Sequence, residues 1–170
     1  MKKKTLTILL TIICILLTGC EDSSEKELDK NISESINIDD SSASLVCTID
    51  IDYSEYNYTL GSKYVVFADN DNKVTKVVSS EIINSTDVEK LDEFESYLNA
   101  NHDVAMQYNG YTYDVTREDD KVTSMVTIDY SEFNLSKFLE ENESSTQLDE
   151  LTVDSIEKQY VSLGASCNRK

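Results

Sequence analysis

One histidine, four cysteines and 33 carboxylates are the side chains through which this 170-residue chain could do chemistry. His102 stands between Asn101 and Asp103 on a predicted helix, which reads as a surface position. A general base needs an oriented partner and a cleft, and the sequence supplies neither around it. Gly-x-Ser-x-Gly, a phosphate-binding glycine loop and His-Glu-x-x-His are all missing from the chain. Asp69-Asn70-Asp71-Asn72 opens like a calcium loop. Such a loop requires glycine at its sixth position and glutamate at its twelfth, where Val74 and Ser80 stand, so the match fails. Asp114, Glu118, Asp119 and Asp120 could form a looser cation site, although turn formation and solvation explain them more simply. The expectation is a protein that is not an enzyme and has no resident cofactor or metal. Ten tyrosines are the other resource, with Tyr56, Tyr58, Tyr64, Tyr111 and Tyr113 on predicted strands. An apolar body with a polar tip suits core edges and cross-strand pairs first, and a binding patch for protein, peptide or glycan second.

Cys20 has the sharpest context among the cysteines. Lys2, Lys3 and Lys4 are followed by an apolar run from Thr5 to Leu16 and then by Leu17-Thr18-Gly19-Cys20. That apolar run has the length of a secretory signal core and falls short of the ~20 residues that span a bilayer. Glu21 and Asp22 follow at once. Leu17 to Cys20 resembles the lipobox of bacterial lipoproteins at every position. The resemblance implies cleavage between Gly19 and Cys20 and acylation of the Cys20 thiolate. Residues 1–19 are then the signal peptide, and two or more acyl chains hold the product stably on a membrane. The expected location is extracytoplasmic, on the cell membrane of a bacterium.

Loss of residues 1–19 removes three lysines and no acid, and takes the net charge from −18 to −21. Nucleic acid and anionic lipid headgroups repel such a chain, so DNA and RNA binding are excluded. Residues 20–43, rich in Ser, Glu and Asp, read as a lipidated cysteine with an acidic disordered tether. A flexible chain of that length reaches roughly 25–30 Å. Residues 44–170 form one domain, long enough for a core. It retains Cys47 near its start and Cys167 near its end. Outside the cytoplasm an isolated pair reads as a structural disulfide. Free thiols or a pair of metal ligands remain as alternatives, the latter without a nearby His or Cys to complete the set.

The elements that must position these residues follow from periodicity. Leu45, Cys47, Ile49, Ile51 and Tyr53 alternate with polar neighbours, giving a strand with one buried face. A second strand is interrupted at Gly61, read as a turn or bulge. Asp69 to Asn72 turns the chain into Val74 to Ile83. Thr86-x-x-Glu89 reads as a capping box, and Val88, Leu91, Phe94, Leu98, Ala105 and Tyr108 form one helical stripe. Asn109-Gly110 either caps that helix or turns a hairpin, and the long helix is preferred. Tyr111 to Val115 and Val122 to Tyr130 are strands, Leu135, Phe138 and Leu139 a short helix, and Val153 to Leu163 a last helix stopped by Gly164. Asp71-Asn72-Lys73-Val74-Thr75 echoes Asp119-Asp120-Lys121-Val122-Thr123, a ββα unit used twice. The echo of Ile51 to Asn57 in Ile128 to Asn134 has a different offset and reads as coincidence. The fold class is α+β, an antiparallel sheet of about five strands with helices on one face.

Asp120-Lys121-Val122-Thr123 through Thr127-Ile128-Asp129-Tyr130, Cys47-Thr48 after the tether, and Ile156 to Gly164 resemble the YehR-like family of small bacterial lipoproteins. The resemblance covers roughly Ser44 to Cys167 together with the lipobox, and Asp50 to Ser62 is longer than the family's first hairpin. It implies an α+β domain on a lipid anchor and no catalytic residues. The expected role is a non-enzymatic interaction module that docks an envelope or membrane protein. Capture of a small solute, peptide or cation is the alternative.

Overall fold

The computed structural model describes residues 32–141 and 151–170. The expected signal peptide, Gly19, Cys20 and the part of the expected tether up to residue 31 lie outside the described residues. Six antiparallel strands form one sheet: β1 (Leu45–Tyr53), β2 (Tyr58–Ala68), β3 (Val74–Ser85), β4 (Tyr111–Arg117), β5 (Lys121–Asp129) and β6 (Ser166–Arg169). Their spatial order is β4-β5-β3-β2-β1-β6. Three helices, α1 (Val88–Ala105), α2 (Leu135–Glu141) and α3 (Val153–Ser162), complete the α+β architecture. α1 packs over β3, β4 and β5, and α3 over β1 and β6. β2-β3-α1 and β4-β5-α2 are the two ββα units.

β1 forms because its alternate residues bury one face. Leu45, Cys47 and Ile49 enter a cluster with Tyr64, Val66, Val77, Val153 and Ile156. A second cluster joins Leu60, Ile83, Leu91, Leu98 and Val122 under α1. A third holds Tyr108, Tyr111, Val126, Ile128, Phe133 and Phe138 under α2.

The sixth strand is an addition to the expected five. Ser166 to Arg169 pairs with Leu45 to Thr48, and Cys167 stands directly opposite Cys47. Four polar-rich residues carry no hydrophobic period, so the strand is held by its backbone ladder and the disulfide. The Arg169 guanidinium also bonds Asp154 and Glu157 of α3.

Residues 32–43, assigned to the disordered tether, are folded. A 3-10 helix, Ile32–Ser35, begins a strap across the sheet face opposite the helices. Ile36 and Ala43 are buried, and Ala43 packs with Val46 and Val65. Asp40 pairs with Lys63 at 3.2 Å and Lys170 at 3.3 Å. The folded unit therefore begins no later than Ile32. Gly61 is neither turn nor bulge, because β2 keeps register through it and shifts only between Phe67 and Ala68. A Cβ on Gly61 would stand 2.6 Å from Ile32 Cβ and 2.8 Å from the Ser33 nitrogen. The glycine marks a place where another backbone approaches a strand.

Two ends of α1 also differ from expectation. Asp87 caps it, accepting from Glu89 N at 3.1 Å and Lys90 N at 3.4 Å; Thr86 does not. Val88 is 58% exposed and lies off the buried stripe. The Asn109-Gly110 hairpin does not form. Met106 occupies the C-cap, and Gly110 (φ 78°) lies four residues further on, where an added Cβ would be 2.5 Å from the Asp129 carbonyl oxygen. The second echo is a shared turn rather than coincidence. Asp52 accepts from Ser54 N at 2.8 Å, and Asp129 from Ser131 N at 2.9 Å, so each aspartate closes a side-chain turn at the end of a strand.

Candidate functional site

The pleat places Glu81 of β3 on the helix-facing side of the sheet, directly between Ser62 of β2 and Ser124 of β5. Three small or polar residues thus cross the core between two apolar clusters. Tyr64 donates its hydroxyl to Glu81 Oε1 at 3.3 Å and stacks on Tyr160 of α3 at 4.4 Å. From α1, His102 brings Nδ1 to 2.5 Å from the Tyr111 hydroxyl and lies 4.9 Å from the Tyr113 ring. Tyr113 in turn donates to Asp103 at 2.9 Å. Ser62 Oγ, Asn101 Nδ2 and His102 Nε2 are buried with no hydrogen-bond partner among the described residues. A buried donor or acceptor left unpaired costs about 1–3 kcal/mol, so this belt is a stressed part of the core.

Glu81 is 7% exposed and His102 2%. Burial raises the Glu81 carboxyl to about 7, with the Tyr64 hydrogen bond acting the other way. Burial lowers the His102 imidazole to about 4, with Asp103 opposing it. Desolvation also raises the hydroxyls of Tyr64, Tyr111, Tyr130 and Tyr160. Near neutral pH the histidine is therefore uncharged, and the carboxyl keeps its proton to a higher pH than an ordinary glutamate. Such perturbed groups mark candidate sites, yet both side chains are closed from solvent. His102 is thus corrected from a surface residue to a core residue. Leu91, Leu98, His102 and Ala105 share the buried stripe of α1, and that spacing is the signal the sequence reading passed over. Glu81 was passed over too, although Val77, Glu81 and Ile83 share one strand face.

Exposed chemistry gathers at the end of the β1–β2 hairpin. A cleft of about 270 Å³ is lined by residues that include Asn57, Tyr58, Thr59, Asn84, Ser85 and Asp120. Asn57 adopts a left-handed conformation (φ 61°) that lets the chain reverse. Its carbonyl accepts from Ser85 Oγ at 2.6 Å, which holds the hairpin on the end of β3. Asn84 Nδ2 donates to Thr59 Oγ1 at 3.4 Å. Tyr53 and Tyr58 lie 4.8 Å apart beside the cleft, Tyr58 meets Phe94 edge-on at 5.2 Å, and Tyr56 is 54% exposed. Aromatic faces next to amides, hydroxyls and one carboxylate suit a polar segment with apolar edges. Of the five tyrosines singled out above, Tyr58 lines this cleft, and Tyr56 stands beside it in a 3-10 turn (Ser54–Tyr56) and not on a strand; Tyr64 and Tyr111 are buried, and Tyr113 is half-buried on β4.

The acidic residues considered for a cation do not converge. Asp114 points to the sheet face away from the helices, and Glu118 pairs with Lys121 at 2.9 Å. No group of three or more His, Cys, Asp or Glu placed to hold a metal occurs among the described residues. Cys47 and Cys167 are joined in a disulfide across β1 and β6. No helix among the described residues is long and apolar enough to cross a membrane.

Neither a protein-family model nor a curated protein matches the chain in sequence. In three dimensions the chain is similar to the NMR structure of the YehR protein of E. coli, with a TM-score of 0.50 and 18% identity, covering 78% of this chain and 94% of that one. It is also similar to the NMR structure of a protein from Streptococcus pneumoniae TIGR4, with a TM-score of 0.43 and 12% identity, covering 88% and 100%. At these identities likeness concerns fold alone, and only the first is close enough in shape to bear on it. The strands and helices that suggested the resemblance in sequence thus assemble into a YehR-like α+β fold.

Proposed function

We propose that this protein is a lipid-anchored extracytoplasmic module, held by acylated Cys20 on a bacterial cell membrane, that docks an envelope protein without catalysing a reaction. The observation that carries the reading is a separation of chemistry from access. The perturbed groups Glu81 and His102 are buried, whereas the accessible aromatic and amide groups line the hairpin-end cleft. A turnover site needs its acid or base within reach of a substrate; a docking site needs exposed anchors with polar partners. The Cys47–Cys167 disulfide supports an oxidising compartment. Capture of a small polar ligand, such as a peptide or glycan, is the second reading, favoured by the concavity around Tyr58, Asn84 and Asp120. A photo-crosslinking amino acid in place of Tyr56, activated in intact cells, tests the first. One envelope protein captured from that position and not from Glu93 on α1 supports docking. No adduct, or the same adducts from both positions, counts against it.

A further inference from the structure

The strap fixes where the chain enters the fold. Ile32 rests on Gly61, and Asp50 accepts from Ser33 N at 2.8 Å and Ser33 Oγ at 2.5 Å. Entry is therefore in the middle of the sheet face opposite the helices. Eleven residues lie between Cys20 and Ile32, a span of at most about 40 Å when fully extended. To turn the helix layer toward the membrane, those residues would have to pass round an edge of the sheet.

The part of that face beyond the strap has a composition unlike the rest of the molecule. Thr112 stands opposite Thr127, Asp114 opposite Met125, and Thr116 opposite Thr123. Met125 is 40% exposed at the centre. On the strands themselves Lys76 and Lys121 stand against Asp114 and Asp129, with Lys121 paired to Glu118 of the adjoining turn, in a chain whose net charge is −18. The helix layer is different, since α1 alone carries Glu89, Asp92, Glu93, Glu95 and Asp103 against Lys90. Anionic headgroups repel that layer and have little charge to oppose on the open strands.

We infer that the open β5–β4 face lies on the phospholipid headgroup layer, with threonine hydroxyls toward the phosphates and Met125 at the centre, so that the acidic helices point away from the bilayer. This inference rests on the lipid-anchor reading of Cys20. It leaves the helix layer free toward the envelope space.

The chain contains no tryptophan, so single reporters can be introduced by Met125→Trp, Thr112→Trp and Glu93→Trp. The full-length acylated protein is placed in phosphatidylcholine–phosphatidylglycerol vesicles in which part of the lipid carries a nitroxide quencher on its headgroup. Emission from Met125→Trp and Thr112→Trp should fall at least twofold against vesicles without the quencher, and that from Glu93→Trp should not change. Thr112→Trp serves if Met125→Trp fails to fold. Flotation and the intact mass of the same samples separate the two readings. Protein that carries the lipid and floats, with the two sheet reporters unquenched or Glu93→Trp quenched instead, overturns the orientation alone. Protein without the acyl mass at Cys20 that stays with the aqueous phase overturns the anchor, and the orientation with it.

Discussion

Replacing Glu81 with glutamine should reshape the pH dependence of stability. The carboxyl titrates near 7 in the fold against 4.5 for the unperturbed group. The folded state therefore holds its proton more tightly than the unfolded chain. Stability from this group is complete below about pH 4.5 and is lost as pH rises through 7. A difference of about 2.5 in pKa corresponds to about 3 kcal/mol between those limits. His102 slopes the other way: lowered from 6.5 to about 4, it costs stability as pH falls through that window. Between pH 4.5 and 6.5 the two largely offset each other in the native protein. Glu81→Gln keeps the side-chain volume and an acceptor for the Tyr64 hydroxyl while removing the titration. Urea unfolding followed by tyrosine fluorescence at pH 4.5, 6 and 8 would read the difference. Relative to the native chain, the variant should gain about 3 kcal/mol on going from pH 4.5 to 8, a midpoint displacement of roughly 1–3 M for ordinary urea slopes. Alone, it should grow more stable from pH 4 to 6.5 as the His102 contribution emerges. A stability difference that does not change between pH 4.5 and 8 would refute the burial argument.

Further outcomes follow from single contacts. Gly61→Ala drives a methyl into Ile32 and the Ser33 backbone; it should cost about 1–3 kcal/mol and expose residues 32–43 to limited proteolysis while β1 and β2 stay protected. Reduction of Cys47–Cys167, which closes a separation of 120 residues, should cost at most about 5 kcal/mol on the chain-entropy account, read as a lower urea midpoint in dithiothreitol. Gly110→Ala meets both a positive φ and the Asp129 carbonyl and should lower the melting temperature, with loss of the Asp129 N to Gly110 O bond visible as faster amide exchange at Asp129.

Strong periodicity made most of the fold legible. The alternation of Leu45 to Tyr53, the turn at Asp69 to Asn72, the Leu91–Leu98–Ala105 part of the α1 stripe and the Gly164 stop each lie where the sequence puts them, because each buries a patterned face or needs a particular backbone conformation. β6 was illegible because Ser166, Cys167, Asn168 and Arg169 have no apolar alternation; pairing with β1 creates the strand. The strap escaped notice because composition averages over residues. Its three isoleucines and the Ser33–Asp50 bonds act at specific places on the sheet, among charges that look like a solvated tether. Gly61 shows the same limit: a glycine in an alternating run signals close approach or a bulge, and only the partner Ile32 decides which. The candidate site was half legible. Alternation along β3 puts Glu81 on the core face and the buried face of α1 includes His102, but neither pattern says that Ser62 Oγ and Asn101 Nδ2 are closed from solvent without a partner among the described residues. The cleft required the third dimension, since Asn57 and Asp120 are far apart in the chain and meet only where two hairpins end together.

The most direct test of a lipid-anchored docking module is the mass of the protein taken from washed membranes of cells that express the full chain. The account predicts a mature chain beginning at Cys20, carrying a diacylglyceryl addition on that residue and an oxidised Cys47–Cys167 pair, and its absence from the membrane fraction after Cys20→Ala. An unprocessed chain starting at Met1 with free thiols at Cys47 and Cys167, or a Cys20→Ala variant that stays on the membrane as before, would contradict it.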